Sequence, residues 1–424
     1  GLELEDRNAL LREVEDDVVR HVLHDNFLQA QILSQEVLPS AGRMEAYEEL
    51  MQALEAEGLL DRDLEALPTS DEMGERRRAG TGMARPELAV LLAYAKLSLT
   101  NALLSSSLPD SGYLERDARS YFPPPVVERF GDLVPQHPLR RELVATLVAN
   151  DVVNSQGITF VSRLAAETGA EAADVVRAYR IARDVTGAVE RWESIEALVG
   201  AVAPAILDDL MGDVDHLVEA VARWYLGHAP GRLGRAIEAD REPFRAFAEI
   251  APMLGSEAWR HERERAAWRL TDAGVPEGVA RRHVYQPVLV HGPAVVDVAR
   301  DTGAPVADVA RAFMMVGEAV FLDRLETRLS SLRATSRWHR WAIQALWEDL
   351  ALVRRELAER VVRRAAGGDI DEALDRFLGE RSEALDRFSR FMRTFALEDV
   401  NDVAAMTVAV RKLRAVATTA SPIG

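Results

Sequence analysis

The chain has 424 residues, 48% of them apolar and 28% charged, and 51 Lys plus Arg against 69 Asp plus Glu leave a net charge of −18. That composition supports a sizeable core, spread over about two to four domains, and excludes global disorder. With no cysteine, disulfides, thiolate metal sites and Cys nucleophiles are excluded, and the acidic balance argues against nonspecific attraction to nucleic acid or anionic lipid.

The apolar spacing predicts helix nearly everywhere. Leu10, Val14, Val18 and Val22 recur every four residues, and Leu11, Leu23 and Phe27 widen the stripe. This reads as one long amphipathic helix ending before Pro39, with a second over Met44 to Leu54. Residues 61–82, with Pro68-Thr69-Ser70-Asp71 and three consecutive arginines, read as a linker or surface loop. Arg85-Pro86-Glu87 opens the most apolar stretch, Leu88 to Leu108, with Pro86 suited to the first turn. Its length matches a membrane span. Lys96 and Asn101 in its middle favour instead a buried central helix of a soluble bundle.

Tyr121-Phe122-Pro123-Pro124-Pro125 predicts a rigid corner, since each proline restricts the residue before it. Pro138 restarts a helix that Gly157 ends, and further helices follow at about 171–186, 204–226 and 257–272, with a Gly/Pro-rich break over 227–234. Val288-Leu289-Val290 supports at most an isolated extended piece. Near the C-terminus Ile343, Leu346, Leu350, Val353, Leu357 and Val361 form a seam, and Asp369 with Glu372 has capping-box spacing. Leu374, Phe377, Leu385, Phe388, Met392 and Phe395 form a facing seam, interrupted by Arg381. A third helix over about 400–416 completes a bundle, and residues 418–424 should fray.

Two segments align without gaps at an offset of 134: Thr168 to Ala178 and Thr302 to Ala312 share eight of eleven residues. Gly169 and Gly303 suit a turn with positive φ between two helices. The predicted fold is therefore all-α: a multi-helical array with two related helix-turn-helix units and a C-terminal antiparallel helical bundle. Ala165, Gly169 and Val175 also have the spacing of a DNA-reading helix-turn-helix. That unit would present Glu171, Asp174 and Arg177 to the groove, a poor reader on an acidic chain.

Chemical motifs are scarce. Gly80-Thr81-Gly82-Met83-Ala84-Arg85 starts like a dinucleotide fingerprint but has Arg85 where the third glycine belongs, and no strand is predicted before it. His261-Glu262-Arg263-Glu264-Arg265 fails the zinc-protease pattern at its last position, and His21 and His24 lack a third ligand. Lys96, one of two lysines, could act chemically with a depressed pKa; the plainer expectation is an ion pair with Glu87 or snorkelling. Asn150, Asp151 and Asn154 form a polar stripe that could bind a ligand or satisfy a helix end. Trp338, Trp341 and Trp347 are expected in the core or in interhelical contacts.

These residues carry a likeness. Asp6-Arg7-Asn8-Ala9-Leu10-Leu11 and Val22-Leu23-His24-Asp25-Asn26-Phe27 resemble the segment following the catalytic domain of the large bacterial NAD-dependent glutamate dehydrogenases. Arg85 through Lys96, Tyr121-Phe122-Pro123, His137 through Arg141, and Asn150-Asp151-Val152-Val153-Asn154 with Gly157 are similar to motifs of the same family.

The resemblance implies a C-terminal helical region of a longer polypeptide that interconverts L-glutamate and 2-oxoglutarate with NAD. It also implies that the catalytic residues and the cofactor fold lie elsewhere, so no catalytic, cofactor-binding or metal residue is assigned here. Arg85, Glu87, Lys96, Asn150, Asp151 and Asn154 stand as structural or interdomain candidates. The implied organisation is a connector over 1–60, a loop over 61–82, a helical core over 83–334 with repeats at about 161–200 and 295–334, a bundle over 335–417, and a tail. The opening Gly1-Leu2-Glu3 reads as a cut through a longer chain or a trimmed tag. The expected partners are the catalytic and N-terminal regions of the same polypeptide and further copies in a homo-oligomer, not nucleic acid or membrane; the expected compartment is the cytoplasm. The rival readings are a nucleic-acid-binding regulator built on the paired units and an independent enzyme using Lys96.

Overall fold

The computed structural model describes residues 2–228, 231–334, 336–397 and 402–418. Among them the chain is all-α, with short 3-10 turns, one isolated bridge between Val199 and Val202, and no strand. The expected tail beyond residue 418, and part of the expected break at 227–234, lie outside the described residues.

Contacts divide the chain into two units: residues 1–184 with 218–238, and residues 185–217 with 239–424. In the first unit the helix Arg85–Leu104 packs on Arg140–Gln156. Leu88, Leu91, Leu92, Leu99 and Leu103 are buried on one, and Val144, Ala145, Val148, Ala149 and Val152 on the other. Small residues at 145 and 149 leave room for leucines across the interface. Arg85–Leu104 is long and apolar enough to cross a membrane by length and composition alone.

Several expected elements differ in detail. The N-terminal helix is broken at Val14 into Leu4–Glu13 and Glu15–Val37. Leu10, Val14 and Ile32 are buried, whereas Val18, Val22, Leu23 and Phe27 are exposed. Within the expected loop over 61–82, Ser70–Ala79 is a helix. Thr69 accepts from the Glu72 N–H, and Glu72 accepts from the Thr69 N–H, a capping box that overrides the polar composition. Val288 and Leu289 belong to a short helix, Gln286–Leu289, rather than an extended piece.

In the second unit the 29-residue helix Arg337–Ala365 is central. It packs on Val306–Ala319, Gly292–Thr302, Ile370–Gly379 and Val403–Thr418. Leu346, Leu350, Val353, Leu357 and Val361 are all buried. Asp369 caps Ile370–Gly379 by accepting from the Asp371 and Glu372 N–H groups. The facing seam is two helices, because Ile370–Gly379 and Ser382–Leu397 separate at Arg381. Trp338 lies on the surface at 66% exposure, edge-on to Trp341, rather than between helices.

The repeat has the same local geometry in both copies. Gly169 and Gly303 have φ of 72° and 70°, and each N–H donates to the carbonyl four residues earlier. Thr168 and Thr302 each donate from Oγ1 to a carbonyl at 2.6 Å and accept the N–H of the alanine after the glycine at 3.3 Å. The correspondence runs further than the sequence identity. Gly187 and Phe321, again 134 apart, both take positive φ, and each precedes a nine-residue helix, Ala188–Glu196 and Leu322–Ser330.

Candidate functional site

The Arg85-Pro86-Glu87 motif works as a helix-start clamp. Glu87 accepts from the Ala84 N–H at 2.7 Å, satisfying one of the donors that a helix start leaves open. The same carboxylate receives both ends of the Arg76 guanidinium, at 2.7 and 2.9 Å. Arg85 donates to Ser34 Oγ and to the Ala30 carbonyl, gripping Glu15–Val37. The motif thus ties three helices together. Glu87 is committed to Arg76, so the expected Lys96–Glu87 pair does not form.

Lys96 is half-buried on the Arg85–Leu104 helix. Burial pushes its ammonium down to about 8, against a weaker opposing pull from Asp25. No carboxylate lies within ion-pair distance of it among the described residues.

Asn150, Asp151 and Asn154 lie on the last turns of Arg140–Gln156. Of the three, Asp151 belongs to a buried ionic cluster. Arg180, 1% exposed, contacts Asp117 at 2.8 Å and Asp151 at 3.1 Å. Arg183 lies 3.4 Å from Asp151 and 3.6 Å from Asp184. Asp184 also accepts from the Tyr113 hydroxyl at 2.7 Å and from Arg116. Burial opposes ionisation of Asp184, but Arg180 and Arg183 outweigh it and hold the carboxyl below its ordinary range. Asn150 is half-buried, and the Asn154 Oδ1 is buried without a hydrogen-bond partner among the described residues. The six candidates therefore do not converge. Arg85 and Glu87 fasten a helix start, Lys96 stands apart, and Asp151 anchors a charge cluster.

The glycine that follows has a specific reason to be there. Gly157 has φ of 93°, and a Cβ on it would lie 2.3 Å from Glu36 Oε1. Glu36, 1% exposed, accepts from the Ile158 N–H at 2.9 Å, the Tyr47 hydroxyl at 2.6 Å and Arg43 at 3.0 Å. The backbone can approach this carboxylate only where no side chain intervenes.

Sequence reasoning missed three charges: Glu36 and Arg354, which are buried, and Glu219, which is half-buried. Glu36 lacks a motif. Glu219 pairs with both ends of Arg163 at 2.8 and 2.7 Å and with Arg223; those two cations hold its carboxyl far below the usual range against burial. Arg354, 1% exposed, donates to Asp323 at 2.6 Å, Glu326 at 2.9 Å and the Phe313 carbonyl. Gly317 makes room for it, since a Cβ there would fall 2.0 Å from its Nη1. Nearby, burial and the Arg354 charge push the His291 imidazole down to about 3, leaving it neutral. Arg354 sits inside the seam at a position where the 3.6 period alone predicts an apolar neighbour. Only the buried-arginine geometry reveals its role.

Elsewhere, Gly80 ends the helix Ser70–Ala79 with φ of 67°, so the near-dinucleotide stretch joins two helices. In the repeat, Arg177 pairs with Asp174, and Arg311 pairs with Asp371. His283 meets Asp213 at 2.9 Å. No group of three potential metal ligands comes together among the described residues.

The fold and these clusters define an all-α domain whose buried guanidinium and carboxylate groups fasten helices to one another. The family described as "Glutamate dehydrogenase, C-terminal" matches residues 80–415, and the chain belongs to that family. It is 34% identical over 418 residues to the NAD-specific glutamate dehydrogenase of Pseudomonas aeruginosa and 33% identical over 411 residues to that of Halomonas elongata, each alignment covering 96% of this chain and 25% of the relative. It is 30% identical over 423 residues to the NAD-specific glutamate dehydrogenase of Mycobacterium tuberculosis, covering 97% of this chain and 25% of the relative. The chain thus spans about a quarter of the length of the curated relatives it matches.

Proposed function

We propose that this chain is the non-catalytic helical assembly segment of an NAD-specific glutamate dehydrogenase. The whole enzyme would convert L-glutamate, NAD and water to 2-oxoglutarate, ammonia and NADH in the cytoplasm, as a homo-oligomer. The observation that carries this reading is the match to the C-terminal family within relatives four times as long. The site geometry supports it. General acid–base or hydride chemistry needs a titratable group or cofactor cradle facing a substrate cleft. Asp151, Asp184, Glu219 and Glu36 instead face arginines and backbone donors. NAD belongs, in this reading, to the rest of the enzyme.

The test is direct. The purified 424-residue chain, mixed with L-glutamate and NAD, should produce no NADH, and calorimetry should detect no NAD binding in the micromolar range. Turnover by the chain alone, or a micromolar dissociation constant, would place the chemistry here and end the assembly reading.

A further inference from the structure

Residues 18–27, nearly three turns of Glu15–Val37, are exposed at every position. Five of them are large and apolar: Val18, Val19, Val22, Leu23 and Phe27, between 41% and 62% exposed. Leu11, on the preceding helix, is 56% exposed. At about 100° per residue, Val18 and Val22 continue the side on which Ile32 and Glu36 are buried, while Val19, Leu23 and Phe27 follow at i, i+4 and i+8 on the adjoining side. Contiguous apolar surface of this kind marks an interaction site.

We propose that this face is the docking surface for the polypeptide that precedes it in a long NAD-specific glutamate dehydrogenase. The partner surface is apolar at its centre and carries arginine or lysine at its edge. The proposal rests on the assembly reading above, and three observations select this occupant. The C-terminal family match begins at residue 80, yet the alignment covering 97% of the chain takes in residues 18–27. The stripe therefore belongs to the part shared with the long relatives ahead of the C-terminal family region.

The patch is also small. Five side chains on one helix segment fall short of the roughly 1,200–2,000 Å² that specific association between separate chains buries. A contact within one polypeptide forms at high effective concentration and needs less area. Finally, the edge is acidic. Glu15 and Asp16 are exposed and hold no ion pair among the described residues, whereas Glu13 pairs with Arg129 and Asp17 with Arg20.

Hydrogen-exchange mass spectrometry on the 424-residue chain and on the full-length polypeptide that carries it tests the proposal. Amides 18–27 should exchange roughly 100-fold more slowly in the longer protein. Val22→Asp with Leu23→Asp should return them to fast exchange while amides 88–103 keep their protection. Cross-links from this helix should run to the preceding part of the polypeptide. Equal exchange in the two wild-type proteins overturns the proposal. So do cross-links to a second copy of the helix, or a dimer of the 424-residue chain that Val22→Asp dissolves. NADH production by the 424-residue chain would defeat the assembly reading while leaving the helix protection unchanged, so the two failures are distinguishable.

Discussion

At the scale of single residues, Lys96 shows what burying a charge without a close partner does to stability. Its ammonium is half-buried, with Asp25 as the weak opposing charge, and its pKa falls to about 8 from an ordinary 10.5. The folded state therefore holds fewer protons than the unfolded state between those two values. Stability rises with pH through that window, and the full cost of burying the charge is felt below pH 8. Solvent reaches part of the side chain, so the cost is discounted to about 1 kcal/mol. Lys96→Met should raise stability at pH 7 by about that amount in urea unfolding, and its advantage over wild type should vanish above about pH 10. A variant less stable than wild type at pH 7 would mean that the charge is compensated and that the lysine has another use.

At the scale of elements, the carboxylate–glycine contact couples two helices that are far apart in sequence. Gly157 ends Arg140–Gln156, and Glu36 lies on Glu15–Val37, joined through the Ile158 N–H. Gly157→Ala places a Cβ against Glu36 and forces an unfavourable φ, so it should cost about 3 kcal/mol. Glu36→Ala leaves the Ile158 N–H and the Tyr47 hydroxyl without their acceptor and should cost a similar amount, about 3 kcal/mol. The two effects should not add. Removing the carboxylate relieves the clash, and the double variant should be at least 1 kcal/mol more stable than the sum of the single changes. Additivity in denaturant unfolding would show that Gly157 is needed for its backbone angle alone.

This is also the scale at which legibility divides. Periodicity and caps were readable. Glu257–Asp272 has the expected bounds, Gly169 and Gly303 turn the chain as read, and Asp369 caps a helix. Thr69 and Glu72 were readable too, but the surrounding charges hid them. Tertiary partners were not readable. Nothing local tells that Val18 and Val22 stay exposed while Val14 is buried, since all three continue one period. Nor does spacing reveal that Glu87 takes Arg76 instead of Lys96, or that Gly317 makes room for a guanidinium thirty-seven residues on. Such choices depend on which helices meet, and that is set by packing across long sequence separations.

At the scale of the molecule, net charge sets what a nucleic-acid regulator, the rival to the assembly reading, would have to overcome. Binding to duplex DNA draws most of its free energy from counterions released when lysine and arginine meet phosphates. The chain carries a net charge of −18, and the repeat that has helix-turn-helix spacing offers little to offset it. Arg177, in the position of a groove reader, pairs with Asp174, and Arg311 in the second copy pairs with Asp371. A phosphate approaching either arginine would have to displace a carboxylate and would meet the repulsion of the acidic chain as a whole. The prediction is that the 424-residue chain gives no retarded band with duplex DNA at low salt, where electrostatic attraction is strongest. Asp174→Asn and Asp371→Asn should still give none, because each changes one charge in a strongly acidic whole. A band at low salt that fades steeply as salt rises would show a basic face that these pairs do not neutralise, and would restore the regulator.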